Sequence, residues 1–272
     1  MFEAIRPFPG ITHIRDAMEV CFTLIEGTKQ AVLFDTGYGT EDVRTYISTL
    51  TDKPVSVYLS HGHHDHVLGA RWFGKSFLCW KDLEEFLLRT GREQRSRVKQ
   101  QAEEQHVPVP ADFLEAPIAI PEPILFPERT GRFDSLILDP GGLKIRIMKV
   151  PGHTPGSIVI HVPAYGLLLT GDDWNPCTWM WFPCSLSARE WRENMKELIR
   201  TLENVEGGHI SHVICSHQPA VRKGYELKAF LDYMTDERMM NAEKADTGTP
   251  IHTCQIRNEK EDWTLLFDRD RL

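Results

Sequence analysis

A layered α/β fold is what this chain predicts, and three observations lead there. Short apolar, β-prone runs recur along its 272 residues. Several of these runs end on a histidine or an aspartate, and helical stretches lie between them. The length and a composition of 41% hydrophobic and 26% charged residues suit one large globular domain, residues 1–272. In layered α/β proteins, ligands gather where strands end and loops meet. Polar residues at those ends are therefore the first candidates for a site.

In the first half, Val20–Gly27 and Lys29–Phe34 read as a hairpin, followed by a helix over about Glu41–Leu50. Val55–Leu59 reads as a buried strand. Directly after it comes His61-Gly62-His63-His64-Asp65-His66, which holds four of the twelve histidines. Side chains alternate along a strand, so His61 and His63 point to one side and can grip one metal together. Asp65 and His66 follow once the chain turns, with Asp65 expected as N-cap of a short helix through Val67–Ala70. They face a second position nearby. Imidazole with carboxylate suits zinc, with iron or manganese as alternatives.

Phe77–Cys79 reads as a short strand, and Trp80–Gln105 as helical, with Leu83, Phe86, Leu87 and Leu88 on an apolar side. Val107–Pro127 contains six prolines, too many for a regular element. Residues 80–127 are thus expected to form an insertion that caps the metals. The basic patch Arg89–Lys99 is interleaved with Glu and Gln and reads as a solvated helix face.

The second half supplies distant partners for the histidine cluster. Strands are expected at Ser135–Leu138, Leu143–Val150, Ser157–His161 and Leu167–Thr170. His153 follows the second of these in a Gly- and Pro-rich turn, and Asp172 follows the last. Helix Ala188–Leu202, strand Val213–Ser216 and helix Gly224–Tyr233 come next, with His217 directly after the strand. A helical stretch, Asp236–Lys244, precedes a closing hairpin of Ile251–Ile256 and Trp263–Phe267. Between Asp172 and that long helix, the loop Asp173–Pro183 holds three of the seven tryptophans. So aromatic a loop is expected to wall a substrate pocket through Trp174, Trp179, Trp181 and Phe182. A dimer contact is the competing use, which keeps a homodimer in view.

With these ligands in place, and Phe34-Asp35-Thr36-Gly37 upstream, the chain resembles the metallo-β-lactamase-fold hydrolase superfamily over nearly its whole length. The resemblance implies an αββα sandwich of two mixed β-sheets flanked by helices, with metals at one edge. It also implies that His61, His63 and His153 hold a first metal. Asp65, His66 and His217 would hold a second, and Asp172 would bridge the two. Asp173 adjoins Asp172; the family places the bridge directly after Gly171, which leaves Asp173 outside the ligand set.

The expected activity is that of a dinuclear hydrolase with two zinc ions and a metal-bridging hydroxide oriented by Asp65. A small ester, thioester or lactone is the expected substrate. A small phosphodiester is the alternative substrate, and a mononuclear iron dioxygenase acting on persulfides is the alternative chemistry. A true β-lactamase lacks a bridging carboxylate, a glyoxalase-II-like thioesterase adds a basic helical domain, and quorum-signal lactonases place tyrosine where this chain has Asn175. A net charge of −8 argues against nucleic acid as substrate. No apolar run approaches the roughly 20 residues of a membrane span. The six scattered cysteines lack C-x-x-C spacing and suggest a cytoplasmic protein with reduced thiols. Cys177 and Cys184 read as small buried hydrophobes.

Overall fold

The computed structural model describes residues 1–205 and 208–272. Its centre is a pair of seven-stranded mixed sheets. The first runs in chain order through β1 (Glu3–Phe8), β2 (Ile11–Arg15), β3 (Cys21–Glu26), β4 (Ala31–Phe34), β5 (Val55–Tyr58), β6 (Phe77–Leu78) and β7 (Glu122–Pro123). Strands β1 to β4 pair antiparallel, and β5 to β7 join in parallel. The second sheet runs β8 (Glu128–Thr130), β9 (Phe133–Leu138), β10 (Ile145–Lys149), β11 (Ile158–Val162) and β12 (Leu167–Leu169). Beyond β12 it continues into β14 (His212–Ile214), in parallel, and β15 (Arg222–Lys223).

Alternation along the strands builds the layers. In β10 to β12, Ile145, Ile147, Ile158, Ile160, Leu167 and Leu169 point inward against Ile25, Val32 and Phe34 of the first sheet. Their neighbours Met148, Val159 and Leu168 point outward and pack under helices. Nearly continuous apolar runs such as Ile158–Val162 and Leu167–Leu169 are what a sheet covered on both faces requires. The outer cover is α5 (Ala188–Glu203) with α6 (Gly224–Tyr233), which bury Trp191, Met195, Leu198, Leu227 and Phe230 there. Helix α5 starts cleanly because Ser187 and Glu190 form a capping box. On the far side, Val43 and Ile47 of α1 (Val43–Leu50) pack on Ile14, Phe22 and Leu24. The result is the expected αββα sandwich.

Four expectations need correction in detail. The helix after the histidine cluster, α2 (His64–Val67), begins two residues early, with His63 in place of Asp65 at the N-cap. Asp65 lies in its first turn, where a negative charge suits the helix dipole. The stretch from Trp80 divides into α3 (Leu83–Arg89) and α4 (Arg92–Glu104) because Gly91 turns the backbone to extended angles. The second helical stretch ends early as α7 (Asp236–Met240), and Glu243–Lys244 is a strand instead, β16. The aromatic segment is not all loop. Cys177–Met180 forms β13, which pairs in parallel with β18 (Trp263–Asp268), Trp179 opposite Leu266. With β17 (Thr253–Asn258) and β16 this makes a third, four-stranded sheet. Among the described residues, no helix is long and apolar enough to cross a membrane.

Candidate metal centre

All seven candidate ligands converge at one edge of the sandwich. The seven fall into two groups of donor atoms, His61, His63 and His153, and Asp65, His66, Asp172 and His217; His63 also meets Glu85 and Cys184 in a third group. Within each group the donor atoms lie within 4.8 Å of one another. One oxygen joins the groups. Asp172 Oδ2 lies 3.0 Å from His217 Nε2, 3.4 Å from His66 Nε2 and 3.7 Å from His153 Nε2.

Outer contacts set which ring nitrogen His63, His66 and His153 offer. A carbonyl or carboxylate oxygen outside the seven-residue cluster only accepts, so the nitrogen facing it carries the proton, and the other nitrogen is turned towards the cluster. His66 Nδ1 donates to Asp35 Oδ2 at 3.0 Å, which leaves Nε2 as the lone pair. His153 Nδ1 donates to the Trp179 carbonyl at 2.7 Å, again freeing Nε2. His63 Nε2 faces Glu85 Oε1 at 3.3 Å, so Nδ1 is the free atom. His63 Nδ1 and His153 Nε2 then meet at 2.9 Å as two acceptors without a hydrogen between them. His61 Nε2 and His66 Nε2 are buried with no hydrogen-bond partner. Orphaned lone pairs of this kind are costly unless a cation satisfies them. The residues present therefore fit metal ions.

Electrostatics divides the histidines. Burial opposes charge on His66 and His217, yet the carboxylates beside them, Asp65 and Asp172, raise both above the usual imidazole range, while the first group goes the other way. Burial, helped by His66, His63 and His153, holds the His61 imidazole well below its usual range, and burial with His63 brings His153 down to about 3. Both are neutral, as ligation demands. Burial opposes charge on Asp65 and Asp172, yet the surrounding histidines hold both carboxylates well below the ordinary range. Asp173 goes the other way. Burial pushes it well above the usual carboxylate range, and its Oδ1 accepts the His153 backbone N–H at 2.8 Å. It supports the His153 turn and offers no oxygen to either ligand group.

Sequence reasoning gave no role to four supporting residues: Glu85, beside His63 as described above, and Asp82, Asp35 and Asn175. Asp82 sits at the N-cap of α3 but makes no cap bond to its own helix. Its carboxylate instead accepts from Gly62 N at 3.0 Å, Thr154 Oγ1 at 2.5 Å and Gly156 N at 2.6 Å. It thereby ties the His61–His63 turn to the His153 turn. A side chain on Gly62 would meet Phe86 N at 2.7 Å, so only glycine lets α3 approach this closely. Asp35 holds a left-handed φ of 68° to place its two oxygens on Ser60 N and His66 Nδ1, strain of the kind found at functional sites. Asn175 donates to Asp172 Oδ1 at 3.3 Å and accepts from His217 N at 3.2 Å. Asp82 had one readable signal, an acidic residue opening a helix, but that position ordinarily reads as a cap. Replacing Asp82 with alanine should weaken metal binding about 10–100-fold, the usual cost of losing an outer partner of a ligand. A zinc competition titration against a chelator measures this; an unchanged affinity would remove the tie.

A cavity of about 530 Å³ opens over the donor atoms. Trp179, Trp181 and Phe182 form one wall, and Met18, Val20 and Tyr38 another. Phe182 stacks on Trp181 with centroids 4.4 Å apart and lies 4.8 Å from the His63 ring. Trp179 is 46% exposed. Trp174 does not belong to this wall. It is fully buried and packs edge-on against Phe230, because it precedes β13 and points under α5 and α6. The two cysteines are also not buried hydrophobes: Cys177 is exposed in the cavity, and Cys184 is half-buried with Sγ 3.7 Å from His63 Nε2. From the 80–127 stretch, Arg89 and Gln101 reach the cavity.

The sequence model of the metallo-beta-lactamase superfamily matches residues 20–200. No curated protein sequence matches the chain. Among solved structures, the stereoselective inverting sec-alkylsulfatase of a Pseudomonas species superposes with a TM-score of 0.63 at 18% identity. That match covers 89% of this chain but only 43% of the sulfatase, so the chain spans less than half of that protein's length. A metallo-beta-lactamase from Pontibacter korlensis gives a TM-score of 0.57 at 15% identity, covering 85% of this chain and 98% of the other. A metallo-beta-lactamase family protein from Thermus thermophilus gives 0.56 at 18% identity, covering 88% and 81%. At these identities the likeness establishes the fold.

Proposed function

Because this chain belongs to the metallo-beta-lactamase superfamily, we propose that it is a dinuclear metal-dependent hydrolase of small esters, thioesters or lactones. The observation that carries this is the shared Asp172 Oδ2, set between two complete donor groups beneath a cavity with apolar walls. His61, His63 and His153 would hold one ion and Asp65, His66 and His217 the other, with Asp172 contributing to both. Zinc suits the imidazole-rich first group best, with iron or manganese as alternatives. When bound, such a pair supplies Lewis acidity and a water whose pKa falls to about 7.

The chain's own residues do the rest. Asp65 keeps Oδ2 towards His66 Nε2 at 3.3 Å and His217 Nε2 at 3.6 Å, leaving Oδ1 to accept the proton of the attacking water. Asp35, Glu85 and the Trp179 carbonyl hold the ligand rings in the tautomers described above. Trp179, Trp181 and Phe182 exclude water beside the reacting carbonyl and bind the apolar part of the substrate. Residues 80–127 contribute to the cover through Arg89 and Gln101.

The test is to quantify metal in the purified protein and then measure turnover. Two zinc ions per chain with cleavage of aryl esters, thioesters or lactones is the expected result. Bis-aryl phosphodiesters belong in the same screen, as do secondary alkyl sulfates, since one structural neighbour is named a sec-alkylsulfatase. One iron per chain and no hydrolysis of any member would overturn the reading.

The wall residues can be tested separately. Alanine at Trp179 or Trp181 should raise KM for aryl substrates several-fold while kcat changes little. An apolar wall binds ground state and transition state about equally, so its loss shows in KM. Equal KM for every substrate cleaved would show that the wall is not used.

A further inference from the structure

Among the described residues, one guanidinium reaches the cavity, that of Arg89. Arg89 ends α3, and its Nε donates to Glu85 Oε1 at 2.6 Å, one helical turn earlier. Its Cζ lies 5.8 Å from the centroid of the Phe182 ring. The side chain is 20% exposed and lines the cavity. Among the described residues, no acceptor engages Nη1 or Nη2. Every other charged side chain lining the cavity is a carboxylate or a histidine: Glu19, Asp65 and Asp172 are the acids. Glu19 pairs with Arg15 at the mouth, and the other two belong to the donor groups.

The pairing with Glu85 does not neutralise Arg89 outright, because Glu85 Oε1 also faces His63 Nε2 at 3.3 Å. What it does is hold the guanidinium still. A long side chain fixed through Nε and packed near an aromatic ring loses little further freedom on binding. Its two terminal nitrogens then present parallel N–H donors, the fork that a carboxylate accepts. Beside them stands an apolar wall, and beyond that the ligand cluster.

We propose that Arg89 anchors an anionic group of the substrate, so that the pocket takes an amphiphile with an aliphatic or aromatic body and a terminal carboxylate. The body lies against Trp179, Trp181 and Phe182, the carboxylate accepts from Nη1 and Nη2 of Arg89, and the scissile acyl group faces Asp65 and Asp172. This rests on the hydrolase reading above, and its test separates the two.

Two matched esters provide the comparison: the mono-4-nitrophenyl ester of glutaric acid, and 4-nitrophenyl valerate, in which a methyl replaces the carboxylate. The quantity read is the ratio of kcat/KM for the acid ester to that for the valerate, at pH 7 with the metal-loaded protein. Arg89→Gln should lower that ratio at least tenfold, mainly through KM of the acid ester, and Arg89→Lys should recover part of it. A ratio that Arg89→Gln leaves unchanged would overturn the anchor, and so would an equal fall for both esters. Should Arg89→Gln fail to fold, Arg89→Lys against the wild type carries the same comparison: charge without the fork should lower the ratio, and an unchanged ratio overturns the proposal. If the wild type cleaves neither ester, hydrolysis of these esters fails on its own. The anchor is then read by calorimetry with 4-phenylbutyrate and 4-phenylbutanol. A Kd for the acid at least tenfold weaker in Arg89→Gln, with no such change for the alcohol, supports it; parallel changes or none overturn it.

Discussion

Replacing Asp172 with alanine is expected to halve the metal content and to remove most of the activity. Its Oδ2 is the one oxygen close to histidines of both donor groups, and its Oδ1 is held by Asn175. Without it, two divalent cations would face each other with less charge between them. The group with fewer imidazoles, Asp65, His66 and His217, should lose its ion first. His217 also stands at the open side, with its side chain 40% exposed. Loss of an outer partner already costs about 10–100-fold, so loss of this carboxylate should cost at least the upper figure in kcat/KM. Elemental analysis and steady-state rates on the same preparation check both halves. Two metals per chain with near-normal turnover would rule out a shared role for Asp172.

The largest effect on stability is expected from Trp174→Ala. Trp174 is enclosed by the cluster that includes Met180, Trp191, Phe230 and Leu265. Truncating a large aromatic in such a core costs about 3–5 kcal/mol, out of a total that is typically about 5–15 kcal/mol. Urea unfolding of the metal-free protein should show the loss directly. Trp179→Ala should show almost none, since Trp179 is nearly half exposed. Equal midpoints for the two variants would mean that Trp174 is not a core residue.

That contrast shows where the sequence could be read and where it could not. The convergence of the seven candidate ligands was legible because their placement is local: each follows a strand or the turn after one, and the histidine spacing is short enough for alternation to decide which side chains share a side. The sandwich was legible for a related reason, since β11 and β12 are apolar on both faces apart from His161, and every residue of both is buried. Trp174 and Trp179 look alike in sequence because both fall in one apparent loop. The segment Cys177-Thr178-Trp179-Met180 alternates exposed and buried, a period-two signal that marks a strand with Thr178 and Met180 inward. Its partner β18 lies more than eighty residues away, and nothing local announces such a pairing. Asp82, Glu85 and Arg89 were hidden differently. They read as ordinary helix charges, and only the approach of α3 to Gly62 turns them towards the site.

The third sheet divides the labour of this molecule between separate parts. The candidate ligands follow strands of the two large sheets or lie in α2, and they are braced there by Asp35, Asp82 and Asn175. The aromatic wall is braced elsewhere. Trp179 rides on β13 beside β18, and Arg271 donates to the carbonyls of Phe182, Pro183 and Ser185. Substitutions in β17, β18 or their turn would therefore move the wall first, and would reach the donor atoms only through the Trp179 carbonyl that holds His153 Nδ1. A peripheral hairpin thus sets the position of the aromatic wall, and one hydrogen bond, from His153 Nδ1 to the Trp179 carbonyl, couples that hairpin to the candidate ligands.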